Sequence, residues 1–143
     1  MLTTRTHPPI SAKIINDRIF LNQIRNIEKY WKFPIPSTYQ NILFEKIQEH
    51  PIYEIEYFDE HEQEEIYICF YNCFDLIERN QTYHIQTNEP HFLMVGQQGS
   101  LGYFISNLES NLTLYQLKNL GALGSLPMQP LLTDFRTLFS APL

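Results

Sequence analysis

The sequence predicts an α+β fold, a mainly antiparallel sheet with helices packed on it, and three observations point there. Two segments with helical apolar spacing come first, short alternating segments joined by tight turns follow, and an apolar cluster lies near the end. Strands joined by tight turns pair antiparallel, and a helix with one apolar stripe needs a second layer to bury it. At 143 residues the chain has the size of one domain, 1–143, with one core.

Residues 1–13 are polar, hold Pro8-Pro9, and are expected to form a loose N-terminal arm. The first helix is predicted over 17–31 with Asn16 as N-cap, because Phe20, Ile24, Ile27 and Trp31 recur at 4-3-4 spacing. Arg18, Arg25, Lys29 and Lys32 fall opposite that stripe, as a solvated face or as a contact for an acidic ligand. Phe33-Pro34-Ile35-Pro36 breaks the helix. Pro36 then suits the first turn of a second helix reaching about Glu49, with Tyr39, Ile42, Leu43 and Ile47 inward. The two make an N-terminal helical hairpin.

Residues 52–57 alternate, with Tyr53, Ile55 and Tyr57 on one side and Glu54 and Glu56 on the other. A polar turn over 59–64 leads into a returning strand, 65–71, apolar on both faces. A short middle helix is expected around 73–79, with Asn72 as candidate cap. Three further strands are predicted at 91–95, 102–106 and 112–117, joined by 96–101 and by a tight turn at 107–111. Two Gly and two Pro mark 119–130 as a loop. Thr133 is the candidate cap of a last helix through Phe139, with Leu132, Phe135, Leu138 and Phe139 inward.

Charge is concentrated in one place. Residues 45–66 hold nine acids against Lys46 alone, a net −8, whereas the rest of the chain sums to +2. Nucleic-acid binding needs clustered Lys and Arg, so this balance argues against it and favours a basic protein partner. The chosen contact residues are Glu54, Glu56, Asp59, Glu60, Glu62, Glu64 and Glu65, with Tyr57 and Tyr67, and also Tyr53, as anchors. The ordinary alternative is a solvated hairpin whose charges protect an exposed sheet edge.

Two cysteines do not make a secreted disulfide framework, no opening apolar run suggests a signal peptide, and no stretch suits a membrane helix. The expectation is a cytoplasmic protein without membrane contact. Cys69 and Cys73 with His84 and His91 fit zinc spacing poorly, and buried structural cysteines are the commoner outcome. A Cys–His hydrolase using these residues with Asp75 is the enzymatic alternative. Gly96, Gly99 and Gly102 join strand to strand and so read as turn glycines rather than a phosphate loop. Trp31 reads as core, and His7, His50 and His61 as exposed polar residues. No metal, cofactor or catalytic residue is expected.

Several short patterns resemble one family. Ile35-Pro36-Ser37-Thr38-Tyr39-Gln40-Asn41-Ile42-Leu43 is similar to the L-P-x-x-Y-x-x-[FI]-L opening of the second helix in the SUKH superfamily. Pro90-His91-Phe92-Leu93-Met94-Val95-Gly96, running through Gly99 and Gly102 to Tyr103-Phe104-Ile105, resembles that family's strand, Gly-rich turn, strand centre. Phe74-Asp75-Leu76-Ile77-Glu78-Arg79-Asn80 is similar to its short middle helix, and Phe135 to Phe139 match its terminal F-x-x-[LF]-[LF] helix. Two features depart from the pattern: residues 44–51 hold no glycine, and the turn reads Gln97-Gln98-Gly99-Ser100 without an Asp. The resemblance implies a non-catalytic immunity protein that neutralises a cognate bacterial toxin domain. A nuclease is among the candidate toxins because a surface that grips phosphates is basic and an acidic edge complements it, and the expected state is a monomer or weak homodimer. A regulatory scaffold of the same fold is the alternative the resemblance leaves open.

Overall fold

The computed structural model describes residues 4–7, 16–109 and 111–139. Its centre is a seven-stranded sheet in which every strand is antiparallel to the next in sequence, an order of β1-β2-β3-β4-β5-β6-β7. The strands are β1 (Thr4–His7), β2 (Tyr53–Asp59), β3 (Glu64–Phe70), β4 (Phe92–Gln98), β5 (Leu101–Ser106), β6 (Leu114–Leu117) and β7 (Gln129–Leu132). With the helices this is the α+β class and the mainly antiparallel sheet that the sequence predicts.

Helix α1 (Asp17–Trp31) follows its apolar spacing. The Asn16 side chain accepts from the backbone N–H groups of Arg18 and Ile19 at 2.9 and 3.2 Å, satisfying two of the helix's orphan donors. Phe20, Ile24, Ile27 and Trp31 are buried, and Arg18, Arg25, Lys29 and Lys32 are exposed. Lys32 ends the helix in the left-handed conformation, φ 71°. The Glu28 carboxylate then accepts from the Ile35 N–H at 2.8 Å and fixes the proline-containing corner.

The second helix differs from its prediction. Helix α2 (Ser37–Asn41) passes into a π-helical stretch, Ile42–Ile47, and stops short of Glu49. Ile42 and Ile47 are five residues apart and would diverge on an α-helix. Bonds of the i→i+5 kind bring them into line, and with Tyr39 and Leu43 they are buried.

The N-terminal arm is corrected as well. Thr4–His7 forms β1 and pairs with β2, Thr4 opposite Tyr57 and His7 opposite Glu54. An unpaired β2 would leave a row of backbone donors and acceptors open, and β1 satisfies them. The remainder of the predicted arm lies outside the described residues.

The middle helix, expected around 73–79, starts later, as α3 (Leu76–Thr82), and a second short helix, α4 (Ile85–Asn88), follows. Asn72 caps the turn before α3 instead, accepting from Phe74 and Asp75 N–H groups at 2.9 and 3.0 Å. Strands β3 and β4 pair only at Cys69–Gln97 and Phe70–Gly96 before they diverge. Gly96 is required there, since a Cβ would stand 2.8 Å from the Cys69 carbonyl oxygen. Where the strands part, the fully buried Asn80 amide takes over the pairing. Its Nδ2 donates to the carbonyls of Met94 and Leu76 at 3.0 and 2.8 Å, and its Oδ1 accepts from Met94 N–H and Gln86 Nε2 at 2.9 Å each.

Strand β4 runs on through Gln98, past the expected Val95, and a two-residue turn at Gly99-Ser100 returns it to β5. Gly99 alone of the two has positive φ, 58°, the pattern of a II′ hairpin. The expected loop over 119–130 holds a 3-10 turn, Leu120–Ala122, and the start of β7. Pro130 is tolerated in β7 because that strand is the sheet's edge.

The expected last helix is a 3-10 turn, Phe135–Leu138, capped by Asp134 in place of Thr133. Leu132 belongs to β7, opposite Leu114. The turn carries an aromatic plug. Phe135 lies 5.8 Å from the rings of both Tyr39 and Phe70, and Phe139 lies 5.1 Å from Phe70 and 5.8 Å from Tyr53. His50, expected on the surface, is only 6% exposed and packs 5.9 Å from Tyr53.

Asn80→Ala should lower unfolding free energy by about 2–3 kcal/mol, because it strands buried backbone groups of Met94 without partners. Urea denaturation of the two proteins measures it, and a change within ~0.5 kcal/mol would refute the bridging role.

Candidate partner-binding face

Pairing of β2 with β3 sets the chemistry of both faces. The register places Tyr53 opposite Phe70, Ile55 opposite Ile68 and Tyr57 opposite Ile66, all buried. The same register places Glu54 opposite Cys69, Glu56 opposite Tyr67 and Phe58 opposite Glu65 on the other face. Paired residues share a face and alternate residues change it. Three carboxylates, two aromatic rings and a thiol therefore form one surface across two neighbouring strands.

Tyr67 is its centre. Its hydroxyl donates to Glu65 Oε2 at 2.9 Å, and its backbone N–H donates to Gln98 Oε1 at 3.3 Å. The phenol is held above its ordinary value of 10.0, first by the hydrogen bond to Glu65 and then by that carboxylate's charge, with Glu56 and Glu54 adding to it. Three negative charges thus converge on one ring that carries a donor.

The predicted contact residues divide into three groups. Glu54, Glu56, Glu65 and Tyr67 come together on this outer face. Glu60 and Glu62 sit in the exposed connection between the strands, where Glu62 meets Lys118 at 3.2 Å. Tyr57, Asp59 and Glu64 belong to the inward-facing register. Glu64 is exposed at its strand's start, but Tyr57 and Asp59 are 7% and 5% exposed. Tyr57 therefore packs in the core, as Tyr53 does, and neither serves as a surface anchor. Asp59 accepts from the His61 N–H at 3.0 Å and shapes the turn. Burial, then the Asp59 charge, raises the Tyr57 phenol.

Three further residues join the face or its rim. Phe58 lies in phase with Glu54 and Glu56, and extending the alternation beyond Tyr57 reveals it. Gln98 and Lys118 carry no sequence signal, since their nearness to Tyr67 and Glu62 depends on strands distant in the chain. β1 and β4 flank only part of the β2–β3 hairpin, since β1 pairs with Glu54–Tyr57 and β4 with Cys69 and Phe70. The remainder of β3, with Glu65, has no ladder partner on its β4 side, so its carboxylates also suit the protection of an open edge.

The thiols are poorly suited to nucleophilic work. Burial chiefly raises Cys69 from 9.0, with a backbone hydrogen bond opposing and the Glu54 charge adding to the rise. Burial pushes Cys73 up to about 12. An activated cysteine needs a depressed value. Among the described residues no group of three or more His, Cys, Asp or Glu side chains stands where it could hold a metal ion. No described helix is long and apolar enough to cross a membrane.

A comparison with protein-family models found no match to this chain, and a comparison with curated proteins found none either.

Glu65→Gln should move the Tyr67 phenol back down toward 10.0, readable in a pH titration of the tyrosine ring carbons by NMR. The native state holds this proton more tightly than the unfolded chain does. The stabilisation is therefore complete below the unfolded value and fades as pH rises through the folded one. An unchanged Tyr67 titration would show that Glu65 does not govern it.

Proposed function

We propose that this chain is a non-catalytic protein-binding domain, an immunity protein of the SUKH type, whose outer β2–β3 face docks on a basic bacterial toxin domain. The observation that carries this reading is the convergence of Glu54, Glu56 and Glu65 around Tyr67 on two strands paired along their whole length. Like charges placed side by side repel, so the arrangement costs stability that a complementary basic surface would recover. A nuclease grips phosphates with Lys and Arg, and fixed carboxylates at strand spacing offer those side chains substitutes. Tyr67 and Phe58 supply the aromatic contact that interfaces favour. Glu60 and Glu62, in the connecting turn, extend the negative field and would speed encounter more than they tighten the complex. The raised thiols speak for binding over cysteine chemistry.

The test is co-expression of the tagged chain with each neighbouring reading frame of its locus. A stoichiometric complex with a basic domain that is toxic alone is the expected result. In that complex Glu54→Lys with Glu65→Lys should weaken affinity roughly 100-fold, and raising salt should weaken the unmodified complex as well. Affinity unchanged by both substitutions would remove this face from the interface. A complex with a harmless endogenous protein would replace immunity with a scaffold role.

A further inference from the structure

A concave site shares no residue with the acidic face. The C-terminal end of α1 and the α3–α4 segment enclose a groove of about 620 Å³, lined by Tyr30, Trp31, Lys32, Phe33, His84 and Gln86 among others. In a chain with net charge −6, none of its lining residues is an acid. Its one fixed charge is the Lys32 ammonium, which is exposed and has no ion-pair partner among the described residues.

The walls are aromatic. Trp31 and Phe33 meet edge to face with centroids 5.6 Å apart. Tyr30 is held by a hydrogen bond from its hydroxyl to Gln86 Oε1, and Gln86 is held in turn by bonds to Asn80 and the Phe92 carbonyl. The groove is thus supported by the same buried amide that bridges β4, which makes its shape part of the fold. Trp31 is 2% exposed, and its Nε1 is a donor without an acceptor among the described residues.

Two backbone features coincide at this groove. Lys32 and His84 both have positive φ, 71° and 53°. Glycine would suit either position better on backbone grounds. Each instead places a nitrogen-bearing side chain at the groove wall, as strained residues at binding sites do.

We propose that this groove is a binding site for a small aromatic carboxylate, its ring against Tyr30 and Phe33 in front of the buried Trp31 and its carboxylate on Lys32. Charge complementarity selects an anion, and the aromatic walls select a planar apolar body. The volume falls within the roughly 300–1,000 Å³ of small-molecule sites, whereas a protein interface needs about 800 Å² from each partner. A free small molecule is therefore the occupant that fits.

Trp31 is the chain's single tryptophan and lies behind the groove wall, so its fluorescence excited at about 295 nm responds to changes there. The probe is 3-phenylpropionate, added to the full-length protein, with the neutral 3-phenylpropanamide as comparison. A saturable change in Trp31 emission is expected, with Kd on the order of 1 mM for so small a ligand. The amide should bind roughly tenfold more weakly. Lys32→Gly removes the charge while relieving the positive φ, so its melting temperature should hold or rise while its affinity for the acid falls about tenfold. His84→Gly provides a second variant that also relieves strain and should lower affinity about threefold. A linear, non-saturating response, equal binding of acid and amide, or unchanged affinity in a folded Lys32→Gly protein would overturn the proposal.

Discussion

The register between β2 and β3 is the constraint on which the rest of the structure depends. Side chains alternate with period two, so a slip of one residue would turn Glu54, Glu56 and Glu65 into the core and expel Ile55, Tyr57 and Ile66. Desolvating carboxylates is far costlier than any gain from alternative pairing. The seven consecutive pairs from Tyr53–Phe70 to Asp59–Glu64 therefore serve two purposes. They commit one side of the sheet to packing beneath the helices, and they commit the other to a concentrated negative surface. Fold and candidate site come from the same alternation.

Much of this was legible because it depends on local periodicity. The α1 stripe, its Asn16 cap, the β2 alternation and the β5 strand are set by neighbours within a few residues. The deviations occur where distant partners decide. Thr4–His7 reads as a polar arm by composition and becomes a strand because β2 offers it an unpaired side. Residues 129–132 read as loop and helix lead-in, yet β6 recruits them as an edge strand despite Pro130. The π-helical Ile42–Ile47 follows the core's demand that residues five apart face one way. On the candidate face, sequence supplied Glu54, Glu56, Glu65 and Tyr67. The alternation already set Tyr57 opposite Glu54 and Glu56, and following it two residues further sets Asp59 inward as well, although residue character alone had grouped both with the contact residues.

Closure of the core shows how little regular structure is needed when the side chains are large. The final 3-10 turn is four residues long, too short to contribute through its own backbone bonds. Its worth lies in Phe135 and Leu138, both fully buried, and in Phe139 against Phe70 and Tyr53. These rings join α2 to β2 and β3 at the point where the helices would otherwise meet the sheet loosely. An F-x-x-x-F spacing suits an α-helix equally well, which is why the sequence suggests one. Pairing of Leu132 with β6 consumes the residues a longer helix would need.

The charge distribution follows from the same layering. Helix α1 spends its apolar stripe on the core and turns Arg18, Arg25, Lys29 and Lys32 to water, where none of them pairs with an acid among the described residues. The carboxylates of β2 and β3 leave the core from the sheet's other side. A chain folded so that these groups met would hold many surface ion pairs, each worth little. Keeping the α1 cations away leaves a net negative balance on this side of the sheet, where Lys118 meets Glu62 at the rim and Arg5 of β1 stands in register opposite Glu56. Such a net charge creates a field that reaches about a Debye length into solution. The layered arrangement gives up small intramolecular gains and retains a surface able to attract a basic partner.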